Sequence, residues 1–152
     1  MSKITPFLWF DSQLEDALEL YGRVFPDVKV LSRVDGPDGK LFWGEFEVAG
    51  QPFKAMNAGP SHPFTEAVSF WIDCEDQAEV DHYWDGLTAD GGQESQCGWL
   101  KDKFGISWQV VPRQLNETVY GSDPEGAKRA MDVMLQSQKL VVAELEAAYR
   151  GE

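Results

Sequence analysis

Phe7-Leu8-Trp9-Phe10-Asp11, followed at once by Ser12-Gln13-Leu14-Glu15, decides the fold, because the chain states the same thing twice. Further along, Phe70-Trp71-Ile72-Asp73 leads into Asp76-Gln77-Ala78-Glu79. Each copy is an apolar run for a strand, an acidic corner and a cap for a helix. A repeat at this long spacing predicts two related half-domains that complete one another, not a solenoid of short units. Two halves facing across a pseudo-twofold would leave a cleft, and clefts are where small molecules bind.

Working outward from the first copy, Ile4 to Phe10 reads as a strand. Ser12 and Glu15 have the spacing of a capping box, in which the hydroxyl accepts from the backbone N–H three residues on and the carboxylate reaches back. Leu14, Ala17, Leu18 and Tyr21 then recur at helical spacing up to Pro26-Asp27. Val28, Val30, Ser32 and Val34 alternate with Lys29, Leu31 and Arg33, as a strand requires. Asp38-Gly39 marks a hairpin turn. Phe42, Gly44, Phe46 and Val48 fall on one face of the next strand, opposite Trp43, Glu45 and Glu47, and Phe53 to Asn57 makes a fourth strand.

The same order then recurs. Ala67 to Cys74 is a strand, Asp76 with Glu79 caps a helix, and Val80, Tyr83, Trp84 and Leu87 form its apolar stripe as far as Gly91-Gly92. A short polar strand follows around Gln93 to Ser95. Gln96 to Lys101 and Ile106 to Val111 are two more, joined by Asp102-Lys103-Phe104-Gly105. The reading is one domain over residues 1–152, with halves at 3–59 and 66–112 and a linker at 60–65. Residues 113–152 form a helical extension. Ser122-Asp123-Pro124 starts its first helix. Ala127, Ala130, Met131, Met134 and Leu135 line one apolar face, and Val141, Leu145, Ala148 and Tyr149 line another. These faces need a surface to cover, either their own sheet or a second subunit's.

The chain has 152 residues, 43% of them hydrophobic, enough for a real core. Its net charge of −13 argues against non-specific nucleic-acid binding and against anionic membranes. No run is long enough to span a bilayer, and the N-terminus lacks the apolar segment of a secretion signal. Cys74 and Cys97 are far apart and form no CxxC, which points to a reduced, cytoplasmic setting and to buried structural thiols. Six tryptophans suit a packed core, a ligand-lined cavity or a subunit interface.

Ile4-Thr-Pro-Phe-Leu-Trp-Phe-Asp11, Met56-Asn-Ala-Gly-Pro60, Val68-Ser-Phe-Trp-Ile-Asp73 and above all Gln96-Cys-Gly-Trp-Leu-Lys-Asp-Lys-Phe-Gly-Ile-Ser-Trp-Gln-Val-Val-Pro112 resemble one family. It is the PhnB-like branch of the vicinal oxygen chelate superfamily, also called the glyoxalase/bleomycin-resistance fold and often labelled 3-demethylubiquinone-9 3-methyltransferase. The likeness runs from Ile4 to Pro112, and the helical tail also suits the branch. It implies an α+β fold of two βαβββ halves curled into a partly open barrel, and a homodimer.

The resemblance also implies positions for a metal, on the first and fourth strand of each half. Aligned by pattern, they fall on Ser69 and Gln109 in the second half, and on Asn57 with Thr5 or Phe7 in the first. Asn57 is matched to Gln109 by their equal distance from Pro60 and Pro112. None is His, Asp or Glu, and neutral amides and hydroxyls are poor ligands for zinc or nickel. The expectation is therefore no metal and no cofactor, with a ligand-binding set of Trp9, Asn57, Ser69, Trp71 and Gln109. The amides would orient a polar group on a mostly apolar molecule. Trp99 and Trp108 flank the last hairpin as dimer contacts instead. His62 in the linker and His82 in the helix read as solvated side chains. No Gly-rich turn follows a strand as S-adenosylmethionine enzymes of the common type require. Three readings stand: a binding protein, an enzyme on a small carbonyl or quinone-like substrate, and a dimer scaffold.

Overall fold

The computed structural model describes residues 2–152. The chain divides into two compact units, one up to Phe64 and one from Thr65 to Glu152. The first carries β1 (Phe7–Phe10), α1 (Leu14–Val24), β2 (Val28–Asp35), β3 (Leu41–Val48) and β4 (Gln51–Asn57). The second carries β5 (Ser69–Cys74), α2 (Gln77–Thr88), β6 (Gln93–Glu94), β7 (Trp99–Lys101) and β8 (Ser107–Pro112), then α3 (Pro124–Gln136) and α4 (Val142–Arg150). The sheets share one topology: β1-β4-β3-β2 in the first unit and β5-β8-β7-β6 in the second. In both, the first strand runs parallel to the last and the other pairs are antiparallel. The duplication read from the sequence is therefore a duplication of fold, and the class is α+β.

In the first unit one sheet face is buried. Leu8, Ala55 and Gly44 lie side by side across three strands, Phe46 stacks on Phe53, and Phe10 closes the row against Phe64. The stripe Leu14, Ala17, Leu20, Tyr21 and Val24 of α1 is buried as well. Two expectations fail here. The Ser12–Glu15 box does not form, because α1 begins one residue later with Gln13 at its N-cap and no capping side chain from that position. Instead Asn57 reaches across and its Oδ1 accepts from the Leu14 N–H at 2.9 Å. Phe42 does not share the buried face of Gly44, Phe46 and Val48. A bulge between the Val34–Trp43 and Asp35–Leu41 pairs turns Phe42 out to solvent and Leu41 in.

In the second unit Asp76 caps α2, its Oδ1 accepting from the Glu79 N–H at 3.0 Å, and Val80, Tyr83, Trp84 and Leu87 are buried as the spacing requires. The β7–β8 turn is built around Asp102, which is 2% exposed. Its Oδ1 accepts from the N–H groups of Phe104 (3.0 Å) and Ile106 (3.1 Å), and its Oδ2 from the Trp108 indole N–H (2.9 Å). Trp108 is thus a buried core residue tilted against Phe70, not an exposed contact for a second copy.

The helical extension covers its own unit. Ala130, Leu140 and Leu145 join Val111, Leu115 and Val119 in one buried cluster, with Met131, Val133, Met134 and Tyr149 packed against it. Leu135, expected on the buried face, is 57% exposed, and Val133 takes its place. The connection between α3 and α4 is latched to the sheet. The N–H groups of Cys97 and Gly98 donate to the carbonyls of Ser137 and Gln138, each at 2.8 Å. Gln77 accepts from the Val142 N–H at 2.7 Å and donates to the Leu140 carbonyl at 3.1 Å. Gly98 has φ +85°, and a Cβ there would stand 3.0 Å from a Leu140 methyl and 3.1 Å from the Val110 carbonyl oxygen. Only glycine suits that approach.

Candidate functional site

Each sheet has a face turned away from its buried one, and cross-strand pairing fixes what that face carries. In the second unit Gln109 of β8 lies directly between Trp71 of β5 and Trp99 of β7. In the first unit Met56 of β4 lies between Trp9 of β1 and Trp43 of β3 in the same way. Four of the six tryptophans thus sit in two equivalent rows, flanking the last strand of each half. Two strand spacings separate the tryptophans of a row, about 9.6 Å. Each row sets two indoles on either side of one central side chain, an amide in one unit and a thioether in the other.

The expected site residues separate accordingly. Ser69, Trp71 and Gln109 come together: Gln109 Nε2 donates to Ser69 Oγ at 3.0 Å, and Trp71 is 55% exposed beside them. Trp9 occupies the matching position of the first unit, its indole N–H donating to the Gly59 carbonyl at 2.8 Å and its ring meeting His62 edge-on at 4.7 Å. His62 is therefore a partner of Trp9 at an exposed position. Asn57 is not on this face. It pairs with Phe10, on the buried side, and both ends of its amide are spent on backbone, Oδ1 on Leu14 N–H and Nδ2 on the Leu41 carbonyl at 3.0 Å. Matching Asn57 to Gln109 by distance from a proline was one residue out of register. By the ladders Met56 is the equivalent of Gln109, and a one-residue slip in a strand changes the face. Asn57 instead borders a cleft of about 920 Å³ beside α1 and the β2–β3 turn. Glu15, Asp16, Glu19 and Asp38 line that cleft against one Lys40, an acidic wall unsuited to an apolar ligand.

Residues missed by the sequence reading are Met56, Trp43 and Ser107. Stepping by two from Gln109 along β8 gives Ser107, and the strand signal therefore contained it. Ser107 pairs with Ser69 and Lys101, is 2% exposed, and its hydroxyl has no hydrogen-bond partner.

The positions to which the resemblance assigns an ion carry Ser69 and Gln109 in one unit and, once the ladder register is applied, Phe7 and Met56 in the other. Thr5 precedes β1. A hydroxyl already bonded to an amide, a phenyl ring and a thioether do not fit a divalent Lewis acid. Among the described residues no group of three His, Cys, Asp or Glu is placed to hold a metal.

Cys74 is fully buried, and burial first, then Glu79, pushes its thiol up to about 12. At pH 8 the native protein should react with a disulfide reagent at the half-buried Cys97 and leave Cys74 silent. From pH 9 up to about 12 the unfolded thiol ionises while the folded one stays protonated, so folding stability falls as pH rises through that window. Two native thiols of equal reactivity would contradict this.

The family model described as 3-demethylubiquinone-9 3-methyltransferase matches residues 2–111, ending before the helical tail. The PhnB protein from Bacillus cereus is 29% identical, with a TM-score of 0.66 over 73% of this chain and 99% of that one. Protein PA1353 from Pseudomonas aeruginosa is 18% identical, with a TM-score of 0.59 over 74% and 98% of the two chains. The fosfomycin resistance protein FosX from Listeria monocytogenes, solved with manganese(II) and sulfate, is 16% identical with a TM-score of 0.51 over 71% and 89%. The last two are likenesses of fold alone. Among curated proteins none matches. Repeated sheets, the motif from Gln96 to Pro112 and the matched family model lead to one conclusion: the chain belongs to the 3-demethylubiquinone-9 3-methyltransferase family, the PhnB-like branch of the glyoxalase/bleomycin-resistance fold.

Proposed function

We propose that this protein is a metal-independent, cytoplasmic homodimer that binds a small, mostly apolar or aromatic molecule on the outward face of its second sheet. The ligand lies between Trp71 and Trp99 over Gln109, with the Ser69–Gln109 pair orienting a polar group. The observation that carries this is the Trp71–Gln109–Trp99 row, an exposed and a half-buried indole flanking one amide on the same sheet face. An aromatic sandwich adds about 0.5–1.5 kcal/mol per ring pair beyond area burial. Binding is preferred over catalysis because Asp102, the one buried carboxylate among the described residues, is occupied by two backbone N–H groups and an indole. The methyltransferase label is not carried over. The turns after β1 and β5, Asp11-Ser12-Gln13 and Glu75-Asp76, contain no glycine to let a backbone approach a nucleotide-like cofactor. No described helix is long and apolar enough to cross a membrane.

Native mass spectrometry of freshly purified protein should give twice the 17.1 kDa chain mass, with a small molecule released on activation. Tryptophan quenching should detect binding of 2-acetylnaphthalene, and Trp71→Ala or Trp99→Ala should weaken it about tenfold. A monomer by mass would remove the dimer. Absence of naphthalene binding, or binding indifferent to both tryptophans, would remove the site.

A further inference from the structure

Beside the tryptophan row of the second unit lies a second row, one pleat along: Ser69 of β5, Ser107 of β8 and Lys101 of β7, paired directly across the strands. The equivalent row of the first unit is Phe7, Lys54 and Glu45, in which Lys54 and Glu45 satisfy one another at 3.7 Å. The second unit has no such closure. Ser69 accepts from Gln109, which leaves its own O–H to donate. Ser107 is closed to solvent and its hydroxyl is unpartnered. Buried hydroxyls without a partner are rare and costly, and this one points to a group that arrives from outside. Lys101 at the end of the row is ion-paired with Glu66.

Taking the aromatic slot as given, we infer that the Ser107 hydroxyl, with Ser69 beside it, receives the uncharged carbonyl oxygen of a flat aromatic ligand. Ser69 and Ser107 are direct partners on adjacent parallel strands about 4.8 Å apart, so both hydroxyls reach a single acceptor oxygen. A single acceptor serves both groups: Ser69, whose oxygen already accepts from Gln109, has its O–H to give, and the open Ser107 hydroxyl can give its own to the same oxygen. It is uncharged because the neighbouring ammonium is already neutralised by Glu66, the chain carries a net charge of −13, and a buried anion would meet only neutral donors. A site that presents buried donors discriminates sharply against an analogue without the acceptor, since binding that analogue leaves the donors unpaired.

Three probes of one ring system test this: 2-acetylnaphthalene, 2-ethylnaphthalene and 2-naphthoate, titrated calorimetrically against the wild-type dimer and Ser107→Ala. The wild type should bind the ketone at least about tenfold more tightly than the ethyl compound, and more tightly than the carboxylate. Ser107→Ala should erase the preference for the ketone, leave the ethyl compound within about twofold, and leave the Tm of the free protein undiminished. Equal wild-type affinity for ketone and ethyl compound would overturn the carbonyl assignment while leaving the aromatic slot intact. Binding of neither would overturn both. Tightest binding of the carboxylate, a preference that survives in Ser107→Ala, or a lowered Tm of that free variant would each overturn the role given to this hydroxyl.

Discussion

Asp102→Ala should lower the unfolding free energy by about 3–5 kcal/mol, read from urea titration at neutral pH. Three donors lose their acceptor at once: the N–H groups of Phe104 and Ile106 and the indole of Trp108. Water cannot replace it easily, because the carboxylate is 2% exposed and Trp108 5% exposed. The backbone turn alone is thin, with Gly105 N–H on the Asp102 carbonyl and Asp102 N–H on the Ile106 carbonyl, each at 2.9 Å. Asp102→Asn separates the contributions. It keeps an oxygen for the two backbone groups but turns an amide NH₂ toward the indole, and should cost about 1–3 kcal/mol. A loss below about 1 kcal/mol in the alanine variant would mean that the turn stands without its carboxylate. Since β7 and β8 carry Trp99, Ser107 and Gln109, the same substitution should also loosen the proposed slot.

The second large effect belongs to the tail. Leu140 is fully buried among Val111, Leu115, Val119, Ala130 and Leu145. Leu140→Ala should cost about 2–5 kcal/mol, the usual range for emptying a leucine site in a packed core. The loss should be local, because the latch around it is made of single bonds: Cys97 and Gly98 to Ser137 and Gln138, Gln77 to Leu140 and Val142, and Asp81 to Lys139 at 2.9 Å. Hydrogen exchange in the variant should rise across α3 and α4 and change little in β1 to β4. Tail amides as protected as in the wild type would contradict this account.

How much was legible follows from how far apart the causes lie in the chain. The α2 cap and stripe rest on residues a few positions apart, Asp76 to Leu87, and their spacing alone placed them. The α1 cap rests on Asn57, forty-three residues from Leu14, and no local pattern announces it. Phe42 looked buried by alternation because a bulge is invisible to a period-two count. Trp108 looked like an exposed hairpin residue until its indole found Asp102. The candidate site shows the same limit. Ser69, Trp71 and Gln109 lie together because the strands that hold them are strongly patterned, and alternation puts them on one face. Asn57 was placed beside them by a proline landmark, and one residue of register moved it to the other face. Ser107 went unnamed because an orphaned hydroxyl is a property of its surroundings, not of the letter.

Gly98 ties the last hairpin to the tail. The family model ends at residue 111, yet this glycine, well inside it, is where Leu140 of the added helices comes to rest. Any side chain there would have to be tolerated by the hairpin and by the appendage together. The extension is therefore no detachable ornament: cutting it away would bare Val111 and Leu115, and keeping it holds position 98 to a bare α-carbon.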